Sequence, residues 1–204
     1  IARYDPADPD ALVVAVKGGH NDEMHNQNDV GNLIVHHHQT GVVADIGRGR
    51  YTRQYFSDGR YKVFVNTSLA HSVPVVNGCP QPPGEQYAAR VLAHEASDVA
   101  DRLSLDLKDV YPPEADLAAL TRTVTLHREA PHGWVELVDE VAFASGKGTF
   151  ESVLTTFGSA TVGPDAVRIG ADRAELDVHY DPAVVAARAE VVKDVDLATG
   201  PRDV

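Results

Sequence analysis

Residues 17–29 read Lys-Gly-Gly-His-Asn-Asp-Glu-Met-His-Asn-Gln-Asn-Asp. They follow neither the two-residue period of a strand nor the 3.6-residue period of a helix, and apolar runs flank them on both sides. Two histidines, three asparagines, one glutamine and three acidic residues supply side chains able to bind a metal ion or a sugar. His25, Gln27 and Asp29 are spaced by two, so an extended segment would project them to one side. Downstream, Asp45 stands among the apolar residues of VVADIG, where a charge has to be paired, capped or metal-bound. His71 ends an apolar stretch in Ser-Leu-Ala-His-Ser-Val-Pro. Taken singly, each is an ordinary polar residue at a strand end or in a hairpin loop; together they form a candidate site. Arg50 and Tyr51 lie close behind Asp45. An arginine can meet a carboxylate or sulfate, and Tyr51 can donate or accept a hydrogen bond. Arg60 and Tyr61 read more simply as a lock on a strand start. The run His36-His37-His38 falls on a predicted strand, where alternate residues face opposite sides, and reads as solvated or packed.

The elements that must position these residues have a period of two. Strands are predicted at 12–16, 30–35, 42–46, 60–66, 120–127, 134–141 and 150–156. Turn clusters such as Asn77-Gly78, Gln81-Pro82-Pro83-Gly84 and Pro131-His132-Gly133 separate them. Many short strands with such punctuation predict an all-β chain, a two-sheet antiparallel β-sandwich forming a single domain over 1–204. Residues 113–120 read as a single helical turn and 182–192 as a short helix or an edge strand. Residues 199–204 read as a loose tail.

A chain of 204 residues, 43% hydrophobic, can bury a core without staples, and its single cysteine, Cys79, cannot form an internal disulfide. No run of about 18 apolar residues is present, so no transmembrane helix is expected. The formal net charge of −12 argues against a nucleic-acid partner. It also pulls against an anionic substrate, unless a local cluster such as Arg48, Arg50 and Arg53 dominates one cleft. The start at Ile1 has the features of neither a natural start nor a signal peptide, and the chain reads as part of a longer protein.

Three runs then carry a resemblance: KGGHNDEMHNQNDVGNLIV, VVADIGRGRYTRQYFSDGRY and NTSLAHSVPVVNGCPQPPGEQYAA. In this order they resemble the C-terminal β domain of the heparinase II/III-like polysaccharide lyases. That family shows a His-Asn-His-Asn-Asp loop, an Asp strand, a Gly-x-x-x-Tyr turn, an Arg-Tyr pair and a Ser-x-x-His-Asn segment. The match is dense over residues 15–90 and weaker to about 160. The resemblance implies β-elimination of a uronic-acid polymer such as a glycosaminoglycan, with an N-terminal helical toroid, absent here, completing the active site. It implies that His25 is the catalytic histidine of the loop, in proton transfer or charge neutralisation. Gln27, Asp45 and His71 fall at the positions of structural zinc ligands, and the sequence departs from the family there, with Gln27 in place of histidine. An amide oxygen is a poorer zinc donor than imidazole, so the site would hold zinc more weakly, take a harder ion, or form a hydrogen-bonded triad. Ser72 stands where the family commonly has Asn. The implied partners are an anionic polysaccharide, the helical domain and, through the face that domain would cover, a second copy. Two other readings stand beside this one. One is a non-catalytic carbohydrate-binding sandwich, against which the 6% aromatic content weighs. The other is a small metal-dependent β-domain enzyme using Asp45 and His71.

Overall fold

The computed structural model describes residues 1–204, and the chain is all-β: short antiparallel strands, six single 3-10 turns and no α-helix. The strands form several small sheets. One four-stranded sheet runs Ala2–Arg3, Val13–Val16, Leu33–His37, Thr40–Val43. The other runs Trp134–Phe143, Leu117–His127, Ala100–Asp106, Arg90–Ala96. A three-stranded sheet, Ser159–Val162, Ala166–Ala171 and Ala174–His179, and three two-stranded ribbons complete the fold.

Alternation decides what each sheet buries. Val14, Leu33, Val35, Val42 and Val43 of the first sheet meet Val124 and Leu126 of the second and Ile169 and Ala174 of the third. Two smaller clusters lie under the loops. Val30 packs with Val76, Leu105, Leu107 and Leu120, and Ile46, Tyr55, Val65 and Ala70 pack with Val195 and Leu197. Each fully buried aliphatic side chain contributes about 1.5–3 kcal/mol. The placement matters for the site, because Val30, Ile46 and Ala70 are the chain neighbours of Asp29, Asp45 and His71. Each of the three polar side chains therefore rides on a segment anchored by an apolar neighbour.

The inward face of strand Leu117–His127 carries Leu120, Arg122, Val124 and Leu126, and Arg122 is fully buried. All five of its N–H donors are used. Nε and one terminal nitrogen bond the two oxygens of Asp139, both at 2.8 Å, and that nitrogen also reaches Ser152 Oγ at 3.3 Å. The other terminal nitrogen donates to Gly31 O and Ser72 O, both at 2.9 Å. Gly31 has a φ of +88°, and a Cβ there would meet Leu107 at 2.9 Å, so only glycine delivers this carbonyl.

Several segments differ from their sequence reading. Residues 60–66 form two 3-10 turns, Arg60–Lys62 and Phe64–Asn66, not a strand. Local polar bonds outweigh the alternation: Arg60 donates to Asn26 O and Tyr55 O, and Asn66 Nδ2 donates to Arg60 O. Strand pairing at 150–156 is confined to Phe150–Ser152. Residues 182–192 are neither helix nor strand and are mostly exposed, Val184 at 79%. The 199–204 segment is tied down: Gly200–Arg202 pairs with Val195–Leu197, and Val204 and Val192 exchange backbone hydrogen bonds.

Removing one partner of a buried ion pair strands the other charge, at a cost of about 3–5 kcal/mol. Arg122→Leu should lose that much in urea denaturation, and Arg122→Met combined with Asp139→Leu should recover most of it. A loss below about 1 kcal/mol for Arg122→Leu would show that the pair does not hold the sheets to the loops.

Candidate functional site: a buried carboxylate–histidine cluster beside an open cleft

Asp29, Asp45 and His71 place one ligand atom each within 4.8 Å of one another. His71 is fully buried, and its Nε2 meets Val65 O at 3.1 Å. A carbonyl only accepts, so Nε2 carries a proton, and Nδ1 is the ring nitrogen placed to take a ligand. That Nδ1 has no hydrogen-bond partner and faces Asp45 Oδ2 at 3.8 Å. Asp45 is partly exposed, and two ligands each about 2.1 Å from a shared ion stand at such a separation. Asp45 is held from both sides: Oδ1 accepts from Gly47 N at 2.7 Å and Oδ2 from Asn32 Nδ2 at 3.0 Å. Asn32 Oδ1 in turn accepts from Ser72 N at 2.9 Å, which couples the Asp45 and His71 segments. Asp29 is bonded by the Lys17 ammonium. Burial pushes its carboxyl above the ordinary range, while Lys17 pulls it down. The cluster could therefore hold a metal ion with two carboxylates and one imidazole.

Gln27 lies next to this cluster with its amide nitrogen committed elsewhere. Nε2 donates to Gly47 O and Val65 O, both at 2.9 Å, and Val65 O is also the acceptor of His71. Gln27 thus ties together the segments of Asp45 and His71, and Asp29 supplies the third ligand atom of the cluster. Asn21 and Asn28 of the loop are structural. Asn28 Nδ2 bonds Gln81 O at 2.9 Å, and Gln81, itself buried, bonds both N and O of Val30 and the side chain of Asn21.

His25 faces the other way. Its φ is +61°, a left-handed conformation that breaks the extended alternation, so it does not share a side with Gln27 and Asp29. It is exposed and lines an open cleft of about 390 Å³ with Asp22, Asn26, Tyr55, Phe56, Arg60 and Tyr61. Tyr51 stacks toward it, ring centres 6.4 Å apart and planes 16° from parallel. Tyr51 also packs on Tyr55 and Phe56 at 5.0 and 4.9 Å, with the Arg48 guanidinium 4.2 Å over its ring. Arg50 is turned away: Nε and one terminal nitrogen bond Asp196 Oδ1 at 3.1 and 2.5 Å.

Two residues that matter here lie outside those that sequence reasoning named. Arg122 was legible as a charge at an inward position of an alternating strand. Asn32 carried no signal, because its partners Asp45 and Ser72 are distant in sequence. Asp29, third in the two-residue spacing, and Arg48, in the cluster with Arg50 and Arg53, were both in view.

A bound ion stabilises the folded state by RT ln(1 + [L]/Kd), about 2.7 kcal/mol at a hundredfold excess over Kd. Zinc added to chelator-treated protein should raise the denaturation midpoint accordingly, and Asp45→Asn or Asp29→Asn should remove the increment. An increment unchanged in both variants would place the ion elsewhere. Gln27→His adds an imidazole donor and removes the bonds to Gly47 O and Val65 O, so a gain in zinc affinity in calorimetric titration should come with a lower denaturation midpoint of the metal-free protein. No protein-family model and no curated protein matches this chain.

Proposed function

We propose that this chain is the β-sandwich domain of a polysaccharide lyase similar to the heparinase II/III-like enzymes, its two four-stranded sheets forming the layers. In this reading the intact enzyme cleaves a uronic-acid polymer by β-elimination, and this chain supplies one wall of its active site. The supporting observation is the open cleft lined by His25, Phe56 and Arg60, with Tyr51 packed against His25 and Phe56 and carrying the Arg48 guanidinium over its ring.

In β-elimination the C5 proton passes to a base, the C4–O bond breaks with its electron pair leaving on oxygen, and a C4=C5 double bond forms. The departing oxygen takes up a proton. The C5 proton is acidic only when the adjacent carboxylate is neutralised, since charge flows into the enolate. Arg48 serves that carboxylate better than Arg50, because its guanidinium lies over Tyr51, which packs against His25, while Arg50 is held by Asp196. His25 is exposed and within reach of a bound ring, for proton transfer or charge neutralisation. Residues 48–62 carry five cations, Arg48, Arg50, Arg53, Arg60 and Lys62, against one acid, Asp58, in a chain of net charge −12. Potentials are local, so this segment can attract a polyanion despite the overall sign. Zinc at Asp29, Asp45 and His71 would be structural, fixing the C-terminal end of the loop that presents His25 against the Asp45 and His71 segments, with no step of the elimination passing through it.

The exposed faces of Tyr51 and Phe56, at 46% and 60%, also suit stacking against a sugar ring, which favours carbohydrate binding without catalysis as a second reading. One assay separates the two. The full-length protein with uronate polymers should release product absorbing at the ultraviolet band of the unsaturated uronate. His25→Ala should reduce turnover about 10²–10⁴-fold while leaving polymer binding near wild type, and residues 1–204 alone should turn over little. Robust turnover by 1–204 would show a complete active site within this chain, and retained activity in His25→Ala would remove His25 from the chemistry.

A further inference from the structure

The hairpin between strands Leu33–His37 and Thr40–Val43 turns through His38 and Gln39, at φ of 49° and 60°. Two successive positive φ values define a turn normally filled by Asn and Gly. Here Asp10 holds it: its carbonyl accepts from His38 N at 3.0 Å and its Oδ1 from Gln39 Nε2 at 2.9 Å. The left-handed backbone at His38 cancels the strand alternation that would have turned neighbouring histidines apart. The rings of His37 and His38 consequently lie 4.0 Å centre to centre. A third imidazole, His132, arrives from the loop before Trp134, its ring centre 6.4 Å from that of His37. Asp10 Oδ2 lies 3.9 Å from His38 Nδ1.

We propose that His37, His38 and His132, with Asp10 beside them, form a second metal site, selective for imidazole-seeking transition ions such as Cu²⁺, Ni²⁺ and Zn²⁺. Imidazole donors suit these ions, and Cu²⁺ binds such sites most strongly in the divalent series. With metal–nitrogen bonds of about 2.0–2.1 Å, two rings sharing an ion have centres roughly 5–6.5 Å apart. The His37–His132 separation lies at the upper end of that range, and the His37–His38 separation of 4.0 Å lies below it, so His38 must swing away from His37 to share the ion. His38 and His132 are exposed and free to rotate onto the ion, with the Asp10 carboxylate adding charge. Burial, with repulsion from His38 and His132, holds the His37 imidazole below its ordinary range, which keeps its lone pair available. This site is separate from the buried cluster. His37 and Asn32, which bonds Asp45, are five residues apart along the chain, roughly 16 Å if fully extended. The inference is independent of the lyase reading.

The only tryptophan, Trp134, reports on it, being two residues from His132 and stacked on His127 at 3.9 Å. Cu²⁺ titrated into the protein should quench Trp134 fluorescence saturably at one equivalent. Asp45→Asn should leave this titration unchanged, whereas His37→Ala combined with His132→Ala should weaken it at least tenfold. Both substituted histidines lie outside the apolar core, so an unchanged thermal midpoint verifies that the double variant is folded. A curve identical in wild type and the histidine double variant would overturn the proposal, as would quenching lost in Asp45→Asn.

Discussion

The guanidinium of Arg122 is the constraint on which the site's geometry depends. It emerges from the inward face of a long central strand and reaches two carbonyls, Gly31 O and Ser72 O, that belong to different loops. Those carbonyls lie two residues after Asp29 and one residue after His71. A buried ion pair adds little net stability over an apolar pair, because desolvation offsets most of the attraction. Its value here is positional: five donors in a rigid planar fork fix five acceptors at once. Asp139 supplies the charge that makes the burial tolerable, and Ser152 Oγ closes the set by donating to it at 2.8 Å.

From that anchor the polar interior is built outward by side chains that each satisfy two segments. Asn32 joins Asp45 to Ser72, Gln27 joins Gly47 to Val65, and Gln81 joins Val30 to Asn21. Buried polar groups are stable only when their bonds are made, and two imidazole nitrogens are left facing a carboxylate without a hydrogen bond: His127 Nε2 towards Glu136 and His71 Nδ1 towards Asp45, the latter with a second carboxylate, Asp29, beside it. The same loop does two jobs: His25, in a left-handed conformation, faces the cleft, while Asp29 two turns of the alternation later belongs to the buried cluster.

Much of the β character was legible in the sequence, because alternation in 120–127 and 134–141 is strict and turn residues bracket it. The candidate site was legible as a set of residues, since the loop at 17–29, Asp45 and His71 stood out by composition and by burial among apolar neighbours. What could not be read was the division of labour inside the loop. Gln27 and Asp29 sit two apart and both point inward, so spacing alone could not say which carries the cluster and which pins the backbone. The strand expected at 60–66 failed for a related reason: Arg60 and Asn66 bond the backbone of residues that only the folded chain brings near, and no local period reveals that. The same holds for Arg50 and Arg48, whose difference is the presence of Asp196 far along the chain.

The central claim is that Asp29, Asp45 and His71 form a cation site whose filling fixes the loop bearing His25. Anomalous diffraction from crystals grown with zinc, recorded on both sides of the zinc edge, tests it most directly. The account predicts one peak about 2.0–2.3 Å from a carboxylate oxygen of Asp29, one of Asp45, and Nδ1 of His71. A map with no anomalous peak among these three side chains would contradict it.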